Sequence, residues 1–379
     1  MRRVAIIQRE IPHYRIRFFE ELYTQGKTEG FELMVYTAAP PAEAAAAPAF
    51  PYRALPVRYF GKKKSGAYWM RGLEAAVAGT DVIVAPQELQ CLTVPYLWAR
   101  RKGLCTSWIW WGHGYNFQAP LRSSIATVTK EAIKRFMTRR ADGVITYTAK
   151  GAEYWRQQGL PEERVIPYYN TIDVEGLRKI RSEISEQQLS DVRKKLGLEG
   201  KRVLLFSGRL YAEKKVDFLL KAFAILKKTL PDVALLIIGD GAERLKLEKL
   251  AKQLDLGDVH FLGELVDPRE TATYFSLADL MVIPGLVGLA IVHGFAFGLP
   301  LVTTRHDFHS PEIEYLSADN GIMTTHDERE LSNAINSILA DRHRHMEMRK
   351  DANHAAMELL LGLSAKRFTR AIDSFTNCS

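Results

Sequence analysis

Apolar residues in this chain come in short, β-branched runs separated by amphipathic stretches. In the N-terminal half the runs are Arg3–Gln8, Phe31–Thr37, Asp81–Pro86, Thr106–Trp111, Gly143–Thr148 and Val165–Tyr169. Each has the length and the near-continuous apolar character of a strand buried on both faces. Between most of them the apolar positions recur at helical spacing, as in Ile16–Gln25, Ser123–Arg139 and Ala149–Gln158. Strand and helix in alternation predict an α/β fold with a doubly wound parallel sheet.

The pattern repeats further on. Val203–Ser207 reads as a buried strand, and Gly208 allows a sharp exit. Val216, Leu219, Leu220, Phe223 and Leu226 then mark one face of a helix. VALLIIGDG, ending its strand at Gly239, VHFLGEL and LADLMVIPG follow in the same style. His293 is the only ionisable side chain between Leu280 and Thr304, a length that could span a bilayer. Pro284, Gly285, Gly288, Gly294, Gly298 and Pro300 would break such a helix, so a strand, a glycine-rich loop, a buried helix and a second strand are expected. The Ala-Pro-rich stretch 38–51 reads as an irregular loop, and the polar run from Glu175 to Lys201 leads into a second domain.

Chemistry enters with Arg209 and Lys214, which follow the Val203–Ser207 strand and precede a helix start. Open α/β sheets bind ligands at the carboxyl ends of their strands, and helix N-termini favour anions. A phosphate or diphosphate is the natural guest; the alternative is two solvated cations on a surface loop. No G-x-G-x-x-G follows the first strand, which weakens a dinucleotide-binding reading.

GRLYAEKKVD at Gly208 resembles the G-R-L-x-x-E-K-G-x-D motif of family 4 glycosyltransferases of the GT-B fold, and GLPLVTT followed by Pro311-Glu312 is similar to a second motif of that family. VIPYYNTID, ending at Asp173, resembles the family's segment before the interdomain crossing. The likeness is strongest over Val203–Leu316. It implies two Rossmann-like doubly wound domains facing across a cleft: residues 1–173 with a returning C-terminal helix in 355–379 (Ala355–Phe375 being the candidate), and residues 174–354 holding a nucleotide sugar. It also implies a retaining transferase with a nucleoside-diphosphate sugar as donor.

Two departures from the motifs stand out. Lys215 replaces the usual glycine, and the places of the family's two glutamates hold Gly285 and His293. PGLVGLAIVHGFAFGLP instead resembles a variant of bacterial polysaccharide-assembly members, in which a later glutamate, here Glu312 or Glu314, is usual.

The resemblance implies roles residue by residue. Arg209 and Lys214 would bind the diphosphate and stabilise the charge developing on the leaving group. His113, in WIWWGHGYNF, would contact the donor sugar; otherwise it is a structural histidine satisfied by backbone carbonyls. Gly208, Gly285, Gly288 and Leu289 would bring backbone close to the donor. His293 would face a ribose or sugar hydroxyl, or else lie buried against the sheet. Glu312 would hold ribose hydroxyls, or else stand exposed at a helix N-terminus. No metal and no separate cofactor are expected: the sequence has no Asp-x-Asp pair and no metal-ligand spacing of histidines or cysteines.

The chain has 379 residues, enough for two domains, and its 47% hydrophobic and 25% charged content is that of an ordinary globular protein. A net charge of +8 calls for an acidic partner. Nucleic acid is set aside because no binding motif for it is present. An anionic membrane surface stays a candidate. Leu121–Arg140 carries Arg122, Lys130, Lys134, Arg135, Arg139 and Arg140 against Glu131, with Ile125, Val128, Ile133, Phe136 and Met137 as its apolar residues. Such a helix either faces the sheet with its charges in water or rests on anionic lipid. PHYRIRFF near His13 and the basic segment Gly61–Arg71 are further acceptor candidates.

Cys91, Cys105 and Cys378 fit a reducing cytoplasm, and the start MRRVAIIQRE is too briefly apolar for a signal peptide. The expectation is a cytoplasmic enzyme, peripheral on the inner face of the plasma membrane, acting on a glycan or lipid-linked acceptor. Rivals are a GT-B nucleotide-sugar epimerase and a catalytically silent glycan-binding subunit.

Overall fold

The computed structural model describes residues 1–41, 47–61, 66–114, 125–306 and 309–377. Lys62, Lys63, Lys64, Arg122 and Cys378 lie outside the described residues. The chain divides into two compact units, Met1–Ile172 with Leu361–Ser379, and Asp173–Leu360.

The first unit contains strands β1 (Arg2–Gln8), β2 (Phe31–Thr37), β3 (Tyr52–Ala54), β4 (Val57–Phe60), β5 (Ala67–Met70), β6 (Val82–Pro86), β7 (Ser107–Gly112), β8 (Gly143–Thr146) and β9 (Val165–Pro167). Seven form a parallel sheet in the order β3-β2-β1-β6-β7-β8-β9. Side chains along a strand alternate between faces, so each central strand feeds two cores. Val4, Ile6, Ile109 and Trp111 enter one, with Phe18 and Phe19. Ala5, Ile7, Trp108 and Trp110 enter the other, with Tyr68 and Trp155.

The β4–β5 antiparallel hairpin was not legible in the sequence, and β5 takes up Ala67–Met70 of the basic acceptor candidate Gly61–Arg71. The last helix also differs from its expected extent. The expected Ala355–Phe375 is two helices, Arg342–Glu358 and Leu361–Asn377. The second lays Phe368, Ala371, Ile372 and Phe375 into the core of Val4 and Ile6. Gly143 makes room for it, since a Cβ there would stand 2.1 Å from the Phe375 ring.

The second unit holds β10 (Arg202–Ser207), β11 (Val233–Ile238), β12 (Val259–Gly263), β13 (Leu280–Val282), β14 (Leu301–Thr304) and β15 (Gly321–Thr324). All pairs are parallel, in the order β12-β11-β10-β13-β14-β15. Both units are thus Rossmann-like. In the second, the chain's direction of winding reverses between β10 and β13, which is where open sheets of this kind leave a crevice for ligand.

The polar run after Asp173 is two helices rather than a connecting stretch, Val174–Glu183 and Glu186–Lys195. Asp173 caps the first through the Gly176 N–H, and Ser185 with Gln188 forms a capping box on the second. The apolar stretch Leu280–Thr304 is the expected strand, loop, buried helix and strand. No helix among the described residues is long and apolar enough to cross a membrane.

Candidate functional site

In the second unit the loops after β10 and β13 flank the switch point. Gly208 leaves β10 with its N–H on the Ile238 carbonyl. A Cβ on Gly208 would lie 3.2 Å from Lys214 Cε, and one on Gly239 would lie 2.0 Å from the Gly208 carbonyl oxygen. Leu210 is buried and its N–H reaches the Asp240 carbonyl, 2.8 Å away, which ties the arginine-bearing loop to the end of β11.

The chain then makes a short 3-10 turn, Ala212–Lys214. Lys215 follows at φ 55°, in the left-handed region, and caps the helix Val216–Thr229. That conformation explains the glycine usual at this point of the motif; here a lysine adopts it against the preference of L-residues.

Lys214 is not the surface cation weighed in the sequence. Its side chain is buried, and Nζ donates to the Leu286 carbonyl at 2.6 Å and to Val287 O at 3.4 Å. Burial pushes its pKa down to about 8. The backbones also exchange bonds: Gly285 N–H to Lys214 O at 3.2 Å, and Leu286 N–H to Glu213 O at 2.9 Å. Gly285 is required by this approach, because a Cβ would stand 2.0 Å from the Glu213 carbonyl oxygen. The β10 and β13 loops are therefore one rigid piece.

Arg209 differs from Lys214. It is exposed, and its guanidinium makes no hydrogen bond or ion pair among the described residues. One cation holds the loops together, with an ammonium proton to spare; the other is available to a ligand.

Gly288 and Leu289 lead into the helix Ala290–Ala296, with Val292 N–H bonded to Leu289 O. A Cβ on Gly288 would meet Ser310 Oγ at 3.7 Å, so the segment after β14 runs beside this loop. Glu312 lies in that segment, in a 3-10 turn, and is buried at 4% exposure. The exposed alternative for it is therefore excluded. Glu314 is half-buried.

The sequence reading missed His309. It is buried, and its Nε2 lies 2.8 Å from the Thr304 carbonyl at the end of β14. Its only sequence signal is its place three residues before Glu312.

His293 is placed among aromatic side chains. Its ring stacks on Phe275 at 4.0 Å between centroids, with Phe297 at 5.8 Å. Phe275 belongs to the last turn of the helix Pro268–Leu277, which leads into the start of β13. The strand ends where a ligand would sit are at the opposite edge. Burial pushes the His293 pKa down to about 4, and among the described residues Nε2 has no hydrogen-bond partner.

In the first unit His113 follows β7. The residue keeps solvent access, and its ring centroid is 4.1 Å from that of Tyr147. The surrounding protein desolvates its imidazolium form, and Arg15 and Lys134 add repulsion, so its pKa falls far below the ordinary histidine value. Among the described residues no carbonyl is bonded to the ring. Gly114 and Gly151 let its loop pack on the helix Ala149–Gln157, since a Cβ on Gly151 would stand 2.6 Å from the His113 carbonyl oxygen. Lys134 Nζ closes this corner on the Gly114 carbonyl at 3.0 Å. Arg15, from the PHYRIRFF segment, is buried over Trp111 and Tyr147 and donates to Gln8 and to the Tyr147 hydroxyl.

Two families match the chain: "Glycosyl transferases group 1" over residues 190–357 and "Glycosyl transferase 4-like domain" over residues 17–170. Alpha-monoglucosyldiacylglycerol synthase of Streptococcus pneumoniae is 29% identical over 220 residues, 56% of this chain and 46% of that protein. A GDP-mannose-dependent alpha-(1-6)-phosphatidylinositol dimannoside mannosyltransferase of Mycobacterium tuberculosis is 31% identical over 173 residues, 43% of this chain and 44% of that protein. The chain spans about half the length of the curated relatives it matches. Among solved structures, Anabaena HepE in complex with UDP superimposes with a TM-score of 0.74 at 18% identity, covering 99% of this chain and 100% of that one.

Proposed function

For a chain that belongs to the family 4 glycosyltransferases of the GT-B fold, we propose retaining transfer of a sugar from a nucleoside-diphosphate sugar to a glycan or lipid-linked acceptor in bacterial surface polysaccharide assembly. The observation that carries this reading is the pair Arg209 and Lys214 at the switch point of the second unit, beside glycines that admit backbone contact. When the anomeric carbon–oxygen bond breaks, the diphosphate gains negative charge. A guanidinium left unpaired among the described residues stabilises that charge more than it stabilises the bound donor, so it accelerates the reaction. These cations take the place of a metal in the proposal. The acceptor hydroxyl attacks from the face the diphosphate leaves, and its proton passes to the departing phosphate. His113, held neutral, offers a hydrogen bond to a sugar hydroxyl without a buried charge.

The same reading places the enzyme on the cytoplasmic face of the plasma membrane. The helix Ile125–Thr138 supports this. Val128 is 56% exposed, Ile133 45% and Phe136 51%, while of the apolar residues with described side chains only Met137 is buried. Lys130, Arg135, Arg139 and Arg140 are exposed on and just after the same helix. Apolar and basic side chains presented together suit an anionic lipid surface better than water. The two relatives described above are named for glycolipids.

The test is turnover of UDP-glucose and GDP-mannose with and without a lipid-linked acceptor, with the anomeric configuration of the product read by NMR. Acceptor-dependent transfer with retention is expected, and Arg209→Ala should lower it by about 10²–10³-fold while the protein stays folded. Conversion of donor without acceptor would instead identify an epimerase. No turnover of any donor would identify a silent binding subunit.

A further inference from the structure

His309 is placed and tautomerically fixed in a way its surroundings do not use. A carbonyl oxygen can only accept, so the 2.8 Å contact to Thr304 O requires that Nε2 carry the proton. In the neutral ring Nδ1 is then a bare lone pair. It is buried within a residue of 5% exposure, and among the described residues no hydrogen-bond partner meets it. Burial and the nearby charges of His306 and Lys214 oppose protonation, which keeps Nδ1 an acceptor.

The surroundings indicate what should meet it. Thr304 ends β14, and its hydroxyl donates to the Pro284 carbonyl at 2.6 Å, at the root of the glycine-rich loop. Ser310, the next residue in the chain, runs beside Gly288. Glu312 lies buried two residues on. Lys214 is close enough for its charge to act on the ring, yet its ammonium donates to the Leu286 and Val287 carbonyls. A buried acceptor left unmatched is destabilising. One at the carboxyl edge of the sheet, beside the loops that flank the switch point, suits a ligand that brings its own O–H.

We propose that His309 Nδ1 accepts a hydrogen bond from a hydroxyl of the bound nucleotide sugar, and so is a donor-binding residue. The proposal rests on the nucleotide-sugar reading above. The hydroxyl belongs either to the ribose or to the transferred sugar.

Calorimetric binding of UDP, UDP-glucose, GDP and GDP-mannose to the full chain tests it, with His309→Gln, His309→Asn and Arg209→Ala as variants. Glutamine can still donate to Thr304 O but offers nothing at the Nδ1 position; asparagine retains an acceptor near it. His309→Gln should weaken binding about tenfold and His309→Asn by less, the size expected for one hydrogen bond in a closed site. A loss already present with the free diphosphate assigns the ribose, and one that appears only with the sugar attached assigns the sugar. Either supports the proposal. Wild-type affinity in His309→Gln, with Arg209→Ala weakened, overturns it and leaves the donor reading intact. No binding of any of the four by the wild type overturns both. Should the variants not fold, ¹⁵N-histidine NMR of the wild type decides. The His309 Nδ1 resonance, of the unprotonated type, should move upfield on nucleotide addition, and an unmoved resonance overturns the proposal.

Discussion

Gly239 lies directly against Gly208: a Cβ on Gly239 would be 2.0 Å from the Gly208 carbonyl oxygen, and its φ of 129° is one that L-residues rarely adopt. The end of β11 thereby sets the height of the loop that presents Arg209. Gly239→Ala should destabilise the protein by about 2 kcal/mol or more, since backbone must move to admit the methyl group, and should weaken nucleotide binding with it. Gly103→Ala, where a Cβ meets nothing within 4 Å, is the matched control. Urea unfolding and calorimetry on the two variants check this.

Lys214 should set an alkaline limit on activity. With its pKa lowered to about 8 by burial, the free protein loses the ammonium as pH rises through that value. The kcat/KM for the donor should fall above pH 8, because this parameter reports groups of the free enzyme. The sign for stability is the reverse. Between pH 8 and 10.5 the unfolded chain holds the proton more firmly, so stability through this group rises with pH. A pH–rate profile paired with melting curves separates lost charge from lost fold.

His293 should make the protein acid-sensitive. Burial holds its pKa near 4 against an ordinary 6.5, so the unfolded state takes up a proton that the folded state refuses, and stability falls as pH drops from 6.5 toward 4. His293→Phe keeps a ring on Phe275 and removes the titration. Its melting temperature should exceed that of the wild type at pH 5, with the difference shrinking by pH 8. If kcat/KM at pH 7.5 is unchanged in the same variant, the ring has no donor role.

Phe136 is the test of the lipid surface. It stands half exposed with the Arg140 guanidinium 3.9 Å over its ring. Phe136→Glu should reduce partition onto anionic vesicles by about tenfold, the combined effect of a lost apolar anchor and an added like charge, and leave the melting temperature nearly unchanged. Wild-type binding should also weaken as salt rises. Equal partition of the wild type onto neutral and anionic vesicles would refute the electrostatic part.

Much of the architecture could be read from the sequence because the strands are buried on both faces and announce themselves as apolar runs. β10, β11 and the Gly208-Arg209 exit are of this kind. The helices Val174–Glu183 and Glu186–Lys195 escaped because they bury little: Val174 in the first and nothing in the second. Without an apolar stripe only their caps spoke for them, Asp173 three residues before Gly176 and Ser185 three before Gln188.

The hairpin β4–β5 escaped for another reason. Its strands have four residues each, too few for a period to emerge. At the site, Lys214 sits among charged neighbours in the sequence and looks solvated. Its burial is decided by Leu286, 72 residues later. His309 likewise depends on Thr304 and on how the β14 loop turns. Both are long-range facts that a linear pattern does not carry.

The helix Leu361–Asn377 has a consequence for the order in which the molecule is made. Its Phe368 and Phe375 complete the core that β1 begins with Val4 and Ile6, so the first unit stays unfinished until residues beyond 360 have been synthesised. The second unit is continuous in sequence, Asp173–Leu360, with no segment contributed from elsewhere in the chain. During translation the later half of the chain can therefore reach its native state while the earlier half still waits with part of its apolar interior uncovered. The nascent N-terminal segment is the natural client for a chaperone, and a chain stopped before Leu361 should yield one folded unit and one aggregation-prone unit.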